Sequence, residues 1–313
     1  MEKNSPRACT IEAPCKINLH LRIKERRADG FHALESLFAP LALGDTLRFD
    51  LAGEKGDCHL FSPMEIPMKE NLVYRAVSLF RERTGFRNGV RIRLDKRIPA
   101  GAGLGGGSSD AASALMAMNL LAGGVLPMEE LKKMGALLGS DVPFFLAGGA
   151  AYVSGRGELI EPVSLPGGLW VVLVKPPFAS DTTSAYRLLD EVRERGAGNE
   201  IRREQASRET LIRALAGDPL DWPFHNDFLT VFLDSNTSPE AHDEPHARAY
   251  RGILENLREA GASFSGLSGS GSCCFGIFKA KETAEKAEKA LSGQENYVSF
   301  TFFLARKANT VLE

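Results

Sequence analysis

A glycine-rich segment in the first half of the chain constrains its fold more than any other feature. Pro99 to Asp110 has the sequence PAGAGLGGGSSD and leads into residues 111–122, which are rich in Ala, Leu and Met and precede two glycines. Consecutive glycines let backbone N–H groups approach an oxyanion closely, and the positive end of a following helix adds its partial charge. The segment therefore predicts a nucleotide-phosphate loop at a helix N-terminus, capped by Ser108, Ser109 or Asp110.

Other glycine-rich patterns fit this segment less well. Gly101, Gly103 and Gly106 satisfy the G-x-G-x-x-G fingerprint of dinucleotide-binding folds, but that fingerprint follows a buried parallel strand. Residues 90–95 instead alternate apolar with charged side chains and predict a half-exposed strand. No Lys-Ser or Lys-Thr follows the last glycine, which excludes a P-loop. A flexible Gly/Ser linker is disfavoured by the clear boundaries of the helix that follows.

The composition excludes several classes of function. The chain has 313 residues, 43% of them apolar, and a formal net charge of −2, so it can bury a large core but has no basic patch typical of nucleic-acid binding. No apolar run is as long as a membrane span, and residues 1–10 lack an apolar signal segment. Five cysteines without a C-x-x-C pair indicate reduced thiols. We expect a cytoplasmic monomer or weak homodimer whose partner is a small molecule, with no nucleic acid or membrane partner.

Residues 16–23 predict a β-strand with one buried and one water-facing side. Apolar side chains there alternate with polar ones, so Lys16, Asn18 and His20 share the water-facing side. Strands and helices mix along the rest of the chain without strict alternation, which predicts an α+β fold. We place a domain boundary after residue 155, which gives an N-terminal domain of residues 1–155 and a C-terminal domain of residues 156–313.

The remaining predicted elements follow from capping residues and periodicity. In chain order they are a strand at 46–51, a helix capped by Asn71, a strand at 90–94, helices at 111–122 and 128–138, a strand at 169–174, a helix capped by Asp181 or Thr182, an exposed loop at 234–246, a helix at 247–260, a hairpin around 268–271, a helix at 282–291 and a strand at 297–305.

Three segments of the sequence resemble the ordered motifs of the GHMP small-molecule kinases. They are PCKIN at residues 14–18, the glycine-rich segment, and GLSGSG at residues 266–271. RRADGFHALE at residues 26–35 and LGSDVPFF at residues 138–145 are similar to the branch that phosphorylates 4-diphosphocytidyl-2-C-methyl-D-erythritol. The resemblance covers nearly the whole chain. It implies a two-domain fold with the active site in the cleft between the domains, and ATP-dependent phosphorylation of the C2 hydroxyl of that substrate on the non-mevalonate route to isoprenoid precursors.

The resemblance implies two charged residues at the reacting centre. Asp141 would accept the proton of the acceptor hydroxyl, because phosphoryl transfer depends on positioned charge more than on covalent chemistry. Lys16 would neutralise negative charge and hold Asp141 ionised. From the residues alone, Asp141 could instead be a helix-start residue beside Ser140, and Lys16 an exposed strand lysine.

The resemblance also implies the substrate contacts. Asn18 would help to place the methylerythritol hydroxyls, while Phe31 and Tyr186 would stack on cytosine and His32 would bond to it. Periodicity leaves a second possibility for His32, a core histidine with satisfied hydrogen bonds. The substrate would also be approached closely by a tight turn that contains Gly269 and Gly271.

ATP and Mg²⁺ are the implied cofactors. The hydroxyl of Ser108 or Ser109 would lie near Mg²⁺, with Ser108 the preferred ligand, and the acidic ligand found in some relatives has no clear counterpart here. Asn71 and Lys96 would border the adenine. The residues implied in ATP binding are Pro99, Gly101, Gly103, Leu104, Gly105, Gly106, Gly107, Ser108, Ser109, Asn71 and Lys96.

Two alternative functions remain. Another GHMP kinase, of the mevalonate, homoserine or galactose type, would lack the base-recognition segment at residues 29–32, and a catalytically inactive nucleotide-binding regulator would not need Lys16 and Asp141. Two positions depart from the family pattern, since Cys15 stands where Ala is usual and Phe31 where Tyr is commoner. Neither change removes a charged or stacking group, so both are compatible with the implied activity.

Overall fold

The structure is a computed structural model in which helices pack against two β-sheets. It describes residues 6–28, 30–53, 56–64, 66–195, 206–233, 244–292, 297–303 and 311–312. The strands are β1 (Ala8–Arg26), β2 (His32–Leu51), β3 (Cys58–Phe61), β4 (Val90–Asp95), β5 (Ala151–Gly155), β6 (Leu159–Pro162), β7 (Trp170–Lys175), β8 (Phe264–Leu267), β9 (Cys274–Phe278), β10 (Tyr297–Phe302) and β11 (Val311–Leu312). The helices are α1 (Leu72–Thr84), α2 (Gly106–Leu121), α3 (Met128–Leu138), α4 (Val142–Ala147), α5 (Thr182–Glu194), α6 (Arg208–Leu215), α7 (Asp227–Leu233), α8 (Glu244–Glu259) and α9 (Lys281–Leu291). The α+β prediction is confirmed.

The large sheet is built around the two long strands β1 and β2, which pair antiparallel along almost their whole length. On its other edge, β2 pairs with two further strands, with β4 through residues 46–51 and with β5 through residues 34–38. β3 lies parallel to β4, β6 pairs with β5, and β11 pairs with the free edge of β1. β4 has the alternating burial expected of a half-exposed strand, as its apolar and charged residues predicted.

The small sheet has four antiparallel strands in the order β10, β7, β9, β8. The backbone N–H of Leu43 in β2 donates to Thr301 Oγ1 in β10 at 3.0 Å, which joins the two sheets. A domain division after residue 155 stays a prediction. The large sheet takes strands from both sides of that position, since it includes β6 and β11.

Helix α2 begins earlier than the sequence predicted. Gly105 is its N-cap residue, with a φ of 71°, and no side chain forms a capping bond. The predicted start at residue 111 with a Ser or Asp cap is therefore wrong, because a glycine in the left-handed region turns the chain into the helix before the serines are reached. Ser109 and Asp110 lie inside the helix and are buried, while Ser108 is partly accessible.

The polar side of β1 does not face water. Lys16, Asn18 and His20 are 4%, 3% and 2% exposed, so the prediction of a solvated face is wrong. The C-terminal half of the chain covers this side, since Leu21 N–H donates to the His225 carbonyl at 2.8 Å and Asn18 N–H donates to Ser268 Oγ at 3.3 Å. Alternation identifies the two faces of a strand, but it does not distinguish water from a polar cleft.

His20 makes the stability of this fold sensitive to acid. Burial, followed by the nearby His225 and Arg22, lowers the pKa of His20 to about 3 from 6.5. Its Nδ1 accepts a hydrogen bond from the His225 backbone N–H at 3.3 Å. The unfolded chain therefore binds a proton between these pKa values and the folded chain does not, so the free energy of unfolding decreases as the pH falls from 6.5 towards 3.

We expect a slope of about 1.4 kcal/mol per pH unit from this residue, measured by chemical denaturation at several pH values. In His20→Asn, whose Oδ1 also accepts a hydrogen bond, this component of the slope should disappear. His59→Asn is the matched control, because His59 is exposed. Equal slopes in the wild type and the His20 variant would contradict the prediction.

Most other predicted elements are confirmed within a few residues. Asn71 caps α1 by accepting from Val73 N–H at 2.9 Å, and Asp181 caps α5. The predicted helix at 128–138 is α3, and the predicted hairpin joins β8 to β9. In the predicted loop at 234–246, residues 234–243 lie outside the described residues and α8 begins at Glu244. Across the described ranges, none of the helices has the length and apolar character needed to cross a bilayer.

Candidate active site

The three motif segments are joined by hydrogen bonds to backbone carbonyls. Lys16 N–H donates to the Leu104 carbonyl at 3.0 Å, and Ser268 Oγ donates to the Gly103 carbonyl at 2.9 Å. Gly103 has a φ of 72°, and a Cβ built on it would overlap the Ser268 carbonyl oxygen. Only glycine therefore permits the phosphate loop and the turn at residues 268–271 to approach this closely.

A lysine and a carboxylate face each other where these segments meet. Lys16 Nζ lies 3.4 Å from Asp141 Oδ2, donates to Asn18 Oδ1 at 2.6 Å and lies 4.4 Å from the centre of the Phe38 ring. The Lys16 side chain is 5% exposed and the Asp141 side chain 27%, so the carboxylate is the more accessible group. Asp141 precedes α4 but its side chain forms no capping bond. Its carboxylate is thus directed to Lys16 and not to the helix, which favours the catalytic interpretation over the helix-start alternative.

Asn18 is fixed by its neighbours. Its Nδ2 donates to Ser36 Oγ at 2.9 Å, and Ser36 Oγ in turn donates to the His20 carbonyl at 2.5 Å. Since the Asn18 Oδ1 faces Lys16, the amide cannot rotate without losing both contacts. The ammonium of Lys16 is therefore held by a rigid acceptor on one side and by Asp141 on the other.

A cavity of about 1020 Å³ opens from this centre, at the upper end of the size range of ligand pockets. Ten residues that the sequence singled out contribute to its wall. They are Lys16, Asn18, Phe31, His32, Gly103, Gly105, Ser108, Asp141, Tyr186 and Gly269. The cavity therefore connects the phosphate loop to the segment expected to recognise a base.

His32, in the wall of the same cavity, contacts two residues of α5. Its Nε2 lies 2.9 Å from Asp190 Oδ1, and its ring stacks on Tyr186 with centroids 5.1 Å apart and an angle of 22°. Burial, followed by the charge of Asp141, raises the pKa of Tyr186 to about 12. Phe31 is 54% exposed, and the Arg156 guanidinium lies 3.6 Å from its ring centre. In this structure the Phe31 ring thus contacts Arg156, and the Tyr186 ring contacts His32. Asp29, next to this segment, lies outside the described residues.

The other expected ATP residues lie around the start of α2. A Cβ on Gly106 would lie 3.5 Å from Lys96 Nζ, and a Cβ on Gly107 would lie 3.5 Å from Leu72, the residue after Asn71. Lys96 is therefore near Gly106, and Leu72, the neighbour of Asn71, is near Gly107. The remaining residues are Gly101, which is exposed, Pro99, which is half-buried, and Leu104 and Ser109, which are buried. Gly271 has a φ of 94° and packs near the Tyr250 hydroxyl.

Known proteins with this arrangement were found by sequence and by structure. Residues 71–149 match the GHMP kinases N terminal domain, and residues 238–297 match the GHMP kinases C terminal. The 4-diphosphocytidyl-2-C-methyl-D-erythritol kinase of Treponema pallidum is 36% identical over 288 residues, which cover 90% of this chain and 94% of that relative. The chain belongs to the 4-diphosphocytidyl-2-C-methyl-D-erythritol kinase family of the GHMP kinases.

Two further comparisons agree with this family. The chloroplastic enzyme of the same name from Oryza sativa is 48% identical over 181 residues, and the match spans 56% of this chain and 45% of that relative. A crystal structure of 4-(cytidine 5'-diphospho)-2C-methyl-D-erythritol kinase has a TM-score of 0.73 and 33% identity, covering 93% of this chain and 98% of the other. The GHMP kinase fold, with its N- and C-terminal domains, is thereby confirmed.

Beneath the phosphate loop of this GHMP kinase lies a buried cluster of three charged side chains. Lys96 Nζ bonds to Asp45 Oδ2 and, at 2.8 Å, to Asp110 Oδ2. Burial, opposed by Lys96 and reinforced by Asp45, raises the pKa of Asp110 to about 7. Burial lowers the pKa of Lys96, but the two carboxylates outweigh it and raise that pKa overall. The cluster ties α2 to β2 and so fixes the helix end that would face a phosphate.

Sequence reasoning missed several residues that hold the site together. Asn226 Nδ2 donates at 2.8 Å to the carbonyls of both Leu267 and Gly269, and its Oδ1 accepts from Phe228 N–H at 2.9 Å at the start of α7. An Asn before an apolar stretch is a recognisable N-cap signal, so the helix start could have been found. Asp190 could have been found from its position four residues after Tyr186 on one helix face.

Proposed function

We propose that this chain is an ATP-dependent 4-diphosphocytidyl-2-C-methyl-D-erythritol kinase. The observation that carries the proposal is the pair of Lys16 and Asp141, 3.4 Å apart, in one cavity with the phosphate loop and with His32 and Tyr186. A kinase of this kind must bind the phosphates of ATP and a cytidine-linked acceptor in the same cavity. The names of the relatives supply the substrate, and the proposal is supported by the fact that both groups of residues line one cavity of about 1020 Å³.

Asp141 would take the proton from the C2 hydroxyl of the acceptor as that oxygen attacks the γ-phosphorus of ATP. Its carboxylate is accessible enough to reach a bound hydroxyl, and the Lys16 ammonium lies 3.4 Å from it. The buried ammonium of Lys16 also offsets negative charge on the transferred phosphoryl group. The backbone N–H groups at the start of α2, and the positive end of its dipole, would hold the phosphates of ATP.

The chain also fits the Mg²⁺ that would accompany ATP. Ser108, which lines the cavity, would supply a hydroxyl ligand, and the phosphates and waters would supply the rest, because Mg²⁺ in kinase sites takes few protein ligands. In the described part of the chain, no cluster of three or more His, Cys, Asp or Glu side chains could hold a metal ion on its own. When bound, the ion would neutralise phosphate charge.

His32 is expected to contribute to substrate binding more than to the chemical step. In His32→Ala, we expect KM for the cytidine-linked substrate to rise roughly tenfold while kcat changes little, because one hydrogen bond to the base is lost. Steady-state kinetics with each substrate varied in turn measures this. The exposed His59, replaced in the same way, is the control. An unchanged KM in His32→Ala would remove His32 from the base site.

One assay separates the possible activities. ADP release is measured with 4-diphosphocytidyl-2-C-methyl-D-erythritol, mevalonate and homoserine as acceptors, each with ATP and Mg²⁺. We expect turnover with the cytidine-linked acceptor alone. Turnover with one of the other acceptors would assign the chain to another GHMP activity, and no turnover with any of them would favour a regulator.

We also infer a cytoplasmic protein that acts as a monomer or weak homodimer. All five cysteines are buried and unpaired, which suits a reducing compartment. Size-exclusion chromatography with light scattering over a range of concentrations tests the oligomeric state. A stable higher oligomer would overturn that part of the proposal.

A further inference from the structure

The contacts of His32 point to a residue that no sequence motif identified. Tyr186 and Asp190 stand one helical turn apart on the same face of α5, and both touch the same imidazole. Tyr186 stacks on the ring face, and Asp190 bonds to the ring edge at Nε2, 2.9 Å away. The imidazole is therefore fixed both in its plane and in its rotation about the ring normal.

The bond to Asp190 determines how His32 can bond to a ligand. An ionised carboxylate only accepts hydrogen bonds, so Nε2 must carry the hydrogen. A neutral imidazole has one donor and one acceptor nitrogen, and Nδ1 is then the acceptor. Within the described ranges no side chain or backbone group bonds to Nδ1, while the His32 side chain is only 8% exposed.

We propose that Asp190 is a specificity-determining positioning residue that selects cytosine over uracil through His32. This rests on the proposed function. With Nε2 bonded to Asp190, Nδ1 presents a lone pair to the base. The exocyclic amine of cytosine donates a hydrogen bond to it, whereas the corresponding carbonyl of uracil places a second acceptor against it. Asp190 itself does not touch the base.

A second carboxylate on α5 does not bond to His32, so a negative charge on this helix is not sufficient for the contact. Glu191, the next residue of α5, also carries a carboxylate, but it lies 4.0 Å from Arg187 and 3.9 Å from Arg195. Arg187 is 74% exposed, so Glu191 belongs to a solvated set of side chains. Asp190, 34% exposed, is the carboxylate directed at the imidazole. Glu191 therefore offers a matched control for removal of one negative charge from the same helix.

Nucleotide binding tests the proposal without catalysis. Affinities for cytidine diphosphate and uridine diphosphate are measured by calorimetry at about pH 8, where a histidine is ordinarily neutral. We expect the wild type to prefer the cytidine nucleotide, and Asp190→Ala to reduce that preference roughly five- to tenfold, mainly through weaker cytidine binding. Asp190→Glu should restore part of it, and Glu191→Gln should keep all of it.

The protonated nitrogen can be identified in the unmodified protein. Long-range ¹H–¹⁵N spectra of the labelled wild type, with His32→Gln for assignment, should show hydrogen on Nε2 and an unprotonated Nδ1. Hydrogen on Nδ1 in the wild type would overturn the proposal even if the Asp190 variants did not fold. An unchanged base preference in a folded Asp190→Ala would overturn it and leave the proposed function standing. A wild type that binds neither nucleotide would count against the proposed function itself.

Discussion

Asp141→Asn is expected to lower kcat by ~10²-fold or more, while the KM values for ATP and the cytidine-linked acceptor change little. The amide has the size of the carboxylate but cannot accept the proton of the acceptor hydroxyl. It also leaves the buried Lys16 ammonium, which lies 3.4 Å from Asp141 Oδ2, without its counter-charge. Steady-state kinetics and a single-turnover measurement of phosphoryl transfer together locate the loss at the chemical step.

The control for this variant is Asp50→Asn. Asp50 makes the same kind of contact to a basic side chain, Arg48, but both are largely exposed, at 43% and 64%. Its replacement should leave kcat unchanged, because an exposed ion pair contributes little. A near-wild-type kcat in Asp141→Asn would remove Asp141 from the role of base and would favour its being a helix-start residue.

Gly103→Ala is expected to damage the site through the backbone. The new Cβ would overlap the Ser268 carbonyl oxygen and lie 2.9 Å from the Gly271 carbonyl oxygen, and both are main-chain atoms that cannot rotate away. The residue must also keep a φ of 72°, which costs a non-glycine residue about 1–3 kcal/mol. The phosphate loop and the turn at residues 268–271 would have to separate. We expect KM for ATP to rise at least about tenfold and Tm to fall by roughly 5 °C.

The control Gly85→Ala distinguishes the effect of backbone strain from the effect of steric overlap. Gly85 has the same φ of 72°, at the C-terminus of α1, but a Cβ there would meet nothing within 4 Å. It should therefore lower Tm by the cost of the backbone conformation and leave the KM for ATP unchanged. If Gly103→Ala and Gly85→Ala had the same effects on Tm and on the KM for ATP, the close approach of Gly103 to Ser268 would not contribute to ATP binding. ATP affinity and thermal unfolding are measured for both variants.

The predictions from sequence succeeded where one local signal decides the structure. Asn71 was predicted as a cap, and Asp181 as one of two candidates with Thr182, because a short polar side chain before an apolar stretch is a strong N-cap signal. They failed where distant residues decide. The polar side of β1 is buried by the loop at 268–271 and by the segment at 225–226, and nothing in the alternation of residues 16–23 indicates what covers them.

Some features of the site were predicted from the sequence and others were not. Lys16 and Asp141 came from motifs and lie face to face in the structure. The early start of α2 depends on the backbone conformation of Gly105, for which a sequence of several glycines gives no unique position. The stacking partners of Phe31 and Tyr186 depend on side-chain packing between distant segments, and Arg156 has no sequence signal that distinguishes it from other exposed arginines.

The contacts among the three motif segments have a consequence for how the enzyme matures. Lys16 bonds to Leu104, and Asn18 bonds to Ser268, so the reacting centre closes two long chain loops. Closing such loops costs chain entropy, and the contacts offset this cost only when both of the contacting segments are present. A nascent chain therefore cannot hold a working centre until the last of these segments has left the ribosome. Recovery of activity during renaturation should report completion of the native topology, not an early intermediate.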